Sequence, residues 1–218
     1  MVFLSNPNNP IGTYVTRPEL EAFLERVPRR VLIVYDEAYY EYARGRRDYP
    51  CGTRYLARQP NLIVTRTFSK AYGLAGLRVG YGLARPEIVE AIERVRPPFN
   101  VGRVSQAAAV AALEDHEHLE RTRRTNKDGM KYLTRELLAL GFRVVPSLAN
   151  FLTFDTGGDG VAIAQALLRQ GVIVRSLAGW RMPELIRVTV GKPAENRRFI
   201  KSLKQVVGTA GTTDKGRR

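Results

Sequence analysis

Short runs of consecutive apolar or β-branched residues, Val2–Leu4, Val31–Asp36, Leu62–Phe68 and Val79–Ala84, alternate with segments whose apolar positions recur every three to four residues. Continuous apolar runs suit parallel strands covered on both faces, and the longer period suits helices packed over them, so the first part predicts βαβ units. Thr16 and Glu19 read as a capping box, with Pro18 in the first turn of the helix that follows. Helices then dominate: Pro86–Val95, Arg103–Asp115, and a long one from about Glu117 to Leu140 that stops at Gly141. Beyond that glycine the pattern changes to the short strands FRVVP, NFLTFD, VIVR and LIRVTV, with helices near Val161–Gln170 and Ala194–Val207. The expected fold is α/β. Residues 1–115 form a mostly parallel sheet with helices on both faces, 116–207 a smaller α+β domain that includes the long helix, and 208–218 a disordered basic tail.

Composition narrows the functional classes. The 218 residues are 44% hydrophobic, enough for a sizeable core. No apolar run approaches the roughly 20 residues of a membrane helix, and MVFLSNPNNP has no basic segment ahead of its apolar residues, so a cytoplasmic protein without a membrane partner is expected. The single Cys51 excludes an intramolecular disulfide and is a poor metal ligand. His116 and His118 stand two apart and face different sides of a helix, so they read as a solvated helix start and no metal site is expected. The net charge of +14 is spread along the chain without a nucleic-acid motif or an aromatic-basic platform. It suits steering of phosphorylated small molecules, with no specific nucleic-acid partner.

Three polar stretches interrupt this pattern: NPNNPIG after the first strand, DEAYYEY at the end of the second, TFSK at the end of the third. All three fall at the carboxyl ends of neighbouring strands, the edge where open α/β sheets bind ligands. Taken singly each has a plain structural reading: a turn, a capping aspartate, a surface lysine.

In their order, NPNNPIG, YDEAYYEY, TFSKAYGLAGLRVGYG, PPFNVGRVSQAAA and VIVRSLAGWRMPELIRVTVG resemble the fold type I, pyridoxal-phosphate-dependent aminotransferases, and within them the histidinol-phosphate aminotransferases. The resemblance implies pyridoxal 5'-phosphate as cofactor, amino-acid and 2-oxo-acid substrates, and ping-pong transfer of an amino group between glutamate and the histidinol-phosphate skeleton. By the same resemblance Lys70 is the lysine that links to the cofactor and moves the proton, and Arg78 with Thr67 and Ser69 holds the cofactor phosphate. A rigid guanidinium fork suits a phosphate dianion. Asp36 matches the carboxylate that keeps the pyridine nitrogen protonated, and Asn9 and Tyr39 the pair on the cofactor's 3'-oxygen. Arg187 matches the arginine that clamps the substrate α-carboxylate, which would couple carboxylate capture to domain closure. Arg175 matches the arginine on the substrate phosphate and so decides substrate class.

The chain departs from the family pattern at Ile11, where threonine is usual, and at Arg181, where a small residue is usual. The resemblance also implies a segment of roughly 100 or more residues ahead of Met1, the size of a small domain, which carries part of the cofactor cradle. The chain is therefore expected to be a fragment, inactive by itself and homodimeric once that segment is supplied. The alternatives are an aromatic aminotransferase or a threonine-phosphate decarboxylase on the same scaffold, and a non-catalytic binding fragment.

Overall fold

A computed structural model describes residues 1–213. They divide into two compact units, one formed by Met1–Asn9 and Thr13–Arg123, the other by Pro10–Gly12 and the chain from Arg124 onward.

The first unit is built on a four-stranded sheet. In chain order it comprises β1 (Val2–Ser5), α1 (Arg17–Arg26), β2 (Ile33–Asp36), α2 (Tyr40–Ala43), a 3-10 turn (Gly52–Tyr55), β3 (Leu62–Thr67), β4 (Gly80–Leu83), α3 (Pro86–Glu93) and α4 (Arg103–Glu114). The order is β1-β2-β3-β4, with β1, β2 and β3 parallel and β4 antiparallel to β3. The capping box forms as expected: the Glu19 carboxylate accepts the Thr16 N–H at 2.7 Å and its hydroxyl at 2.6 Å. From that start α1 lays Leu20 and Leu24 on Ile33, Tyr35, Leu62 and Val64. Along β2 burial alternates, with Val34 and Asp36 only half-buried, and Phe3 on β1 is 73% exposed. The two-sided burial suggested by the apolar runs is thus one-sided among the described residues, where α3 contributes no buried side chain.

The second unit carries an antiparallel sheet in the order β5-β6-β8-β7, formed by β5 (Arg143–Val145), β6 (Phe151–Asp155), β7 (Arg175–Leu177) and β8 (Met182–Thr189). Its helices are α6 (Gly160–Arg169), α7 (Pro193–Thr213) and the later turns of α5 (His116–Ala139). Leu133 and Leu137 of α5, Leu167 of α6 and Phe199 and Leu203 of α7 close over Phe154 and Ile186. Pro10–Gly12 is stitched to this sheet: Thr153 Oγ1 donates to the Pro10 carbonyl at 2.9 Å, and Leu148 N–H to that of Gly12 at 3.0 Å.

Three boundaries differ from the sequence expectation. The first two turns of α5 belong to the first unit rather than the second, since Arg44 pairs with Glu120 at 2.8 Å and Arg123 donates to the Arg44 carbonyl. Of VIVR only Arg175 is strand, so it opens β7 instead of ending a run. Helix α7 continues through Thr213, past the amphipathic stretch that ends at Val207, so residues 208–213 of the expected tail are helical. The expectation of disorder at 214–218 lies outside the described residues. Among those described, no helix is long and apolar enough to cross a membrane.

Candidate functional site

The parallel register Ser5–Asp36–Thr65 sets the carboxyl ends of β1, β2 and β3 side by side. NPNNPIG leaves this edge from β1, and its anchor is the first asparagine. Asn6 is fully buried: its side-chain oxygen accepts the Val15 N–H at 2.8 Å, and its amide donates to the Val15 carbonyl and, at 2.6 Å, to the Tyr35 hydroxyl. The Tyr49 hydroxyl donates to the Asn6 carbonyl at 2.7 Å. Asn9, the asparagine singled out from sequence, is exposed on the turn that follows.

Asp36 ends β2 half-buried. One of its carboxylate oxygens accepts the Ala38 N–H at 3.0 Å, while the other has no hydrogen-bond partner among the described residues. Tyr39, one helical turn on, is buried, and the Lys70 Nζ lies 5.5 Å from its ring centroid. Lys70 itself is exposed. It follows Thr67 and Ser69 on a turn in which the Thr67 hydroxyl accepts the Ser69 N–H at 3.1 Å. The loop then closes on itself, because Phe68 N–H donates to the Val79 carbonyl and Thr67 pairs with Gly80. Arg78 therefore returns beside the start of the loop despite the eight-residue spacing. It stands exposed in the left-handed region at φ 50° and donates to the Ala75 carbonyl at 2.8 Å. Lys70, Tyr39, Asp36, Thr67, Ser69 and Arg78 thus gather at one edge of the first unit's sheet.

Beneath this edge lies a charged cluster that sequence reading passed over. Glu37 is wholly buried; it takes the Gly52 N–H on one oxygen at 2.8 Å and Arg66 on the other, at 2.7 Å from Nη2 and 2.9 Å from Nε. Arg66 stacks on Tyr40 at 3.5 Å from its centroid and reaches Cys51 Sγ at 3.5 Å. Burial pushes the Glu37 carboxyl up, opposed by the Gly52 N–H and by Arg66. Burial pulls Arg66 down, and the Glu37 carboxylate and the Tyr81 hydroxyl together more than offset it. The carboxylate thus accepts three N–H groups, which favour its charged form against that burial. The sequence signal was an arginine within the apolar third strand and a glutamate directly after Asp36 in the polar stretch that ends the second.

Glu41, in α2, is 2% exposed and its Oε2 lacks a partner among the described residues. Burial pushes its carboxyl above the ordinary range. A carboxyl raised in the folded state binds more protons there than in the unfolded chain. Its contribution to stability is therefore full below the ordinary carboxylate value of 4.5 and is lost as pH rises through the folded value. Urea unfolding at pH 5 and pH 7 should show lower stability at pH 7, and Glu41→Gln should shrink that difference.

In the second unit, Arg175 and Arg187 are directly opposed across β7 and β8 and so share one face of the sheet. Arg187 is half-buried, its guanidinium carbon 4.8 Å from the Phe151 ring centroid, and Arg175 is exposed. Two arginines opposed on one sheet face set two cationic side chains on the same side of the second unit's sheet.

The family of class I and II aminotransferases matches residues 1–203 of the chain. The chain belongs to that family. Over 207 residues this aminotransferase chain is 51% identical to histidinol-phosphate aminotransferase 1 of Nitrosococcus oceani, covering 95% of the chain and 56% of the relative. It is 52% identical over 210 residues to histidinol-phosphate aminotransferase 2 of Pseudomonas fluorescens, covering 96% and 56%. The fold superimposes with a TM-score of 0.88 and 34% identity on the histidinol-phosphate aminotransferase of Sinorhizobium meliloti, solved in complex with pyridoxal-5'-phosphate, over 96% of this chain and 57% of that one. The chain spans about half the length of the curated relatives it matches. The fold type I architecture expected of the sequence is the one that the aminotransferase chain adopts.

Proposed function

We propose that this aminotransferase chain supplies the pyridoxal-phosphate anchor and the substrate-anion groups of an enzyme that moves an amino group between histidinol phosphate and 2-oxoglutarate in histidine biosynthesis. The observation that carries the cofactor reading is the edge of the first unit's sheet. There a half-buried carboxylate with one spare oxygen, a lysine over a buried tyrosine ring, and two hydroxyls on one turn lie at adjoining strand ends. This donor set fits pyridoxal phosphate, with a carboxylate for the ring N–H, a primary amine for the aldehyde, and hydroxyls and a guanidinium for the phosphate. Asp36 would hold the ring nitrogen protonated, Lys70 would carry the covalent link and move the proton at the substrate Cα, and Thr67, Ser69 and Arg78 would hold the phosphate. Tyr39 and Asn9 would hydrogen-bond the 3'-oxygen. When bound, the cofactor supplies an electron sink for the electrons of the breaking Cα–H bond.

The opposed Arg175 and Arg187 support anionic substrates taken in turn, the phosphate of histidinol phosphate and the carboxylates of glutamate or 2-oxoglutarate. Arg187, backed by Phe151, suits the α-carboxylate of glutamate, and the more exposed Arg175 suits the phosphate of histidinol phosphate, which has no carboxylate. The experiment compares binding of histidinol phosphate and of phenylalanine by isothermal titration. Arg175→Ala should weaken histidinol phosphate about tenfold or more and leave phenylalanine nearly unchanged. Equal losses for both would remove the histidinol-phosphate assignment in favour of an aromatic aminotransferase.

A further inference from the structure

The cluster beneath the sheet edge has no part in the roles given above, yet it joins the two strand ends that carry them. Glu37 directly follows Asp36, and its N–H donates to the Thr65 carbonyl at 2.8 Å. Arg66 directly precedes Thr67, the start of the turn that leads to Ser69 and Lys70. The ion pair therefore ties the residue after the ring-facing carboxylate to the residue before the phosphate-facing hydroxyl. It is saturated on the Glu37 side, with Arg66 on one oxygen and Gly52 N–H on the other. On the Arg66 side it is boxed in by the Tyr40 ring and Cys51 Sγ. Gly52 is needed for this closure, because a Cβ there would lie 2.5 Å from the Tyr35 ring. A fork held on one edge by a carboxylate and on one face by an aromatic ring has little rotational freedom, as a single-point lysine would not.

We propose that Glu37 and Arg66 are positioning residues whose buried ion pair clamps the ends of β2 and β3, and so fixes the direction of the Asp36 carboxylate and the shape of the Thr67–Lys70 turn. The inference rests on the cofactor roles assigned to Asp36 and Lys70 for its functional meaning, but its test does not use the cofactor. Two amides report the two groups being positioned: Ala38 N–H is held by the Asp36 carboxylate, and Ser69 N–H by the Thr67 hydroxyl.

Amide hydrogen exchange, read by nuclear magnetic resonance on the full chain without ligand, compares these two amides with those of Ile33, Val34, Leu62 and Ile63 in the strand interiors. In Glu37→Gln, which keeps acceptor atoms and loses the charge, exchange at Ala38 and Ser69 should accelerate about tenfold more than at the interior amides. Arg66→Lys keeps the charge and loses the fork; it should give the same local signature, and it carries the test if Glu37→Gln does not fold. Uniform acceleration at all six amides would mean that the pair only holds the fold together, and would overturn the proposal. So would unchanged exchange at Ala38 and Ser69. Failure of the chain to capture pyridoxal phosphate would instead count against the cofactor reading and leave the exchange result standing.

Discussion

Lys70→Ala is expected to abolish covalent capture of pyridoxal phosphate. When the chain is mixed with the cofactor and reduced with borohydride, mass spectrometry should find the added mass on the peptide containing Lys70. In the variant it should fall to background. The expectation follows from geometry: Lys70 is the amine that the closed Thr67–Gly80 loop presents at the end of β3, 5.5 Å from the buried Tyr39 ring and on the strand next to Asp36. Other lysines would label weakly and unselectively, so a label that persists undiminished in Lys70→Ala would refute its role. Arg78→Ala, by contrast, leaves the amine in place and should reduce the extent of labelling at limiting cofactor without changing its site.

Glu37→Ala has the largest expected effect on stability. It removes the wholly buried partner of Arg66, whose side chain is 12% exposed, and leaves a guanidinium with no carboxylate in a largely dry site. Breaking a buried pair in this way costs about 3–5 kcal/mol, a large share of the stability of an ordinary domain. The Gly52 N–H also loses its acceptor. Chemical unfolding followed by circular dichroism measures the loss. Replacing both members together, Glu37→Met with Arg66→Met, should recover most of it, since no unpaired charge then remains buried. A double variant as unstable as the single one would show that the pair's hydrogen bonds to its surroundings matter more than its charge.

The sequence was most informative where a residue's role is local. The Thr16–Glu19 capping box, the stop of α5 at Gly141 with its positive φ of 84°, and the order of the strands all rest on short-range rules, and each can be traced in the fold. The gathering of Asp36, Thr67 and Lys70 at one sheet edge was also readable, because parallel strands of known order must place their carboxyl ends together. What escaped depends on pairing between distant strands. Glu37 and Arg66 are 29 positions apart and meet only because β2 and β3 are in parallel register. Asn6 looked like one turn residue among several, yet it is the buried one, held by Val15 and Tyr35. The extent of burial on each sheet face was likewise hidden, since an apolar run states what a strand can cover and not what is there to cover it.

The opposition of Arg175 and Arg187 has a consequence for how this chain could change over time. Like charges set directly opposite across a strand pair do not favour the pairing that holds them. Neutral replacements at position 175 would relieve that opposition while removing the arginine proposed to hold the substrate phosphate. Drift toward robustness and retention of substrate preference pull in opposite directions at that one position. On the proposed assignment, an arginine would persist there only while something selects for the anion.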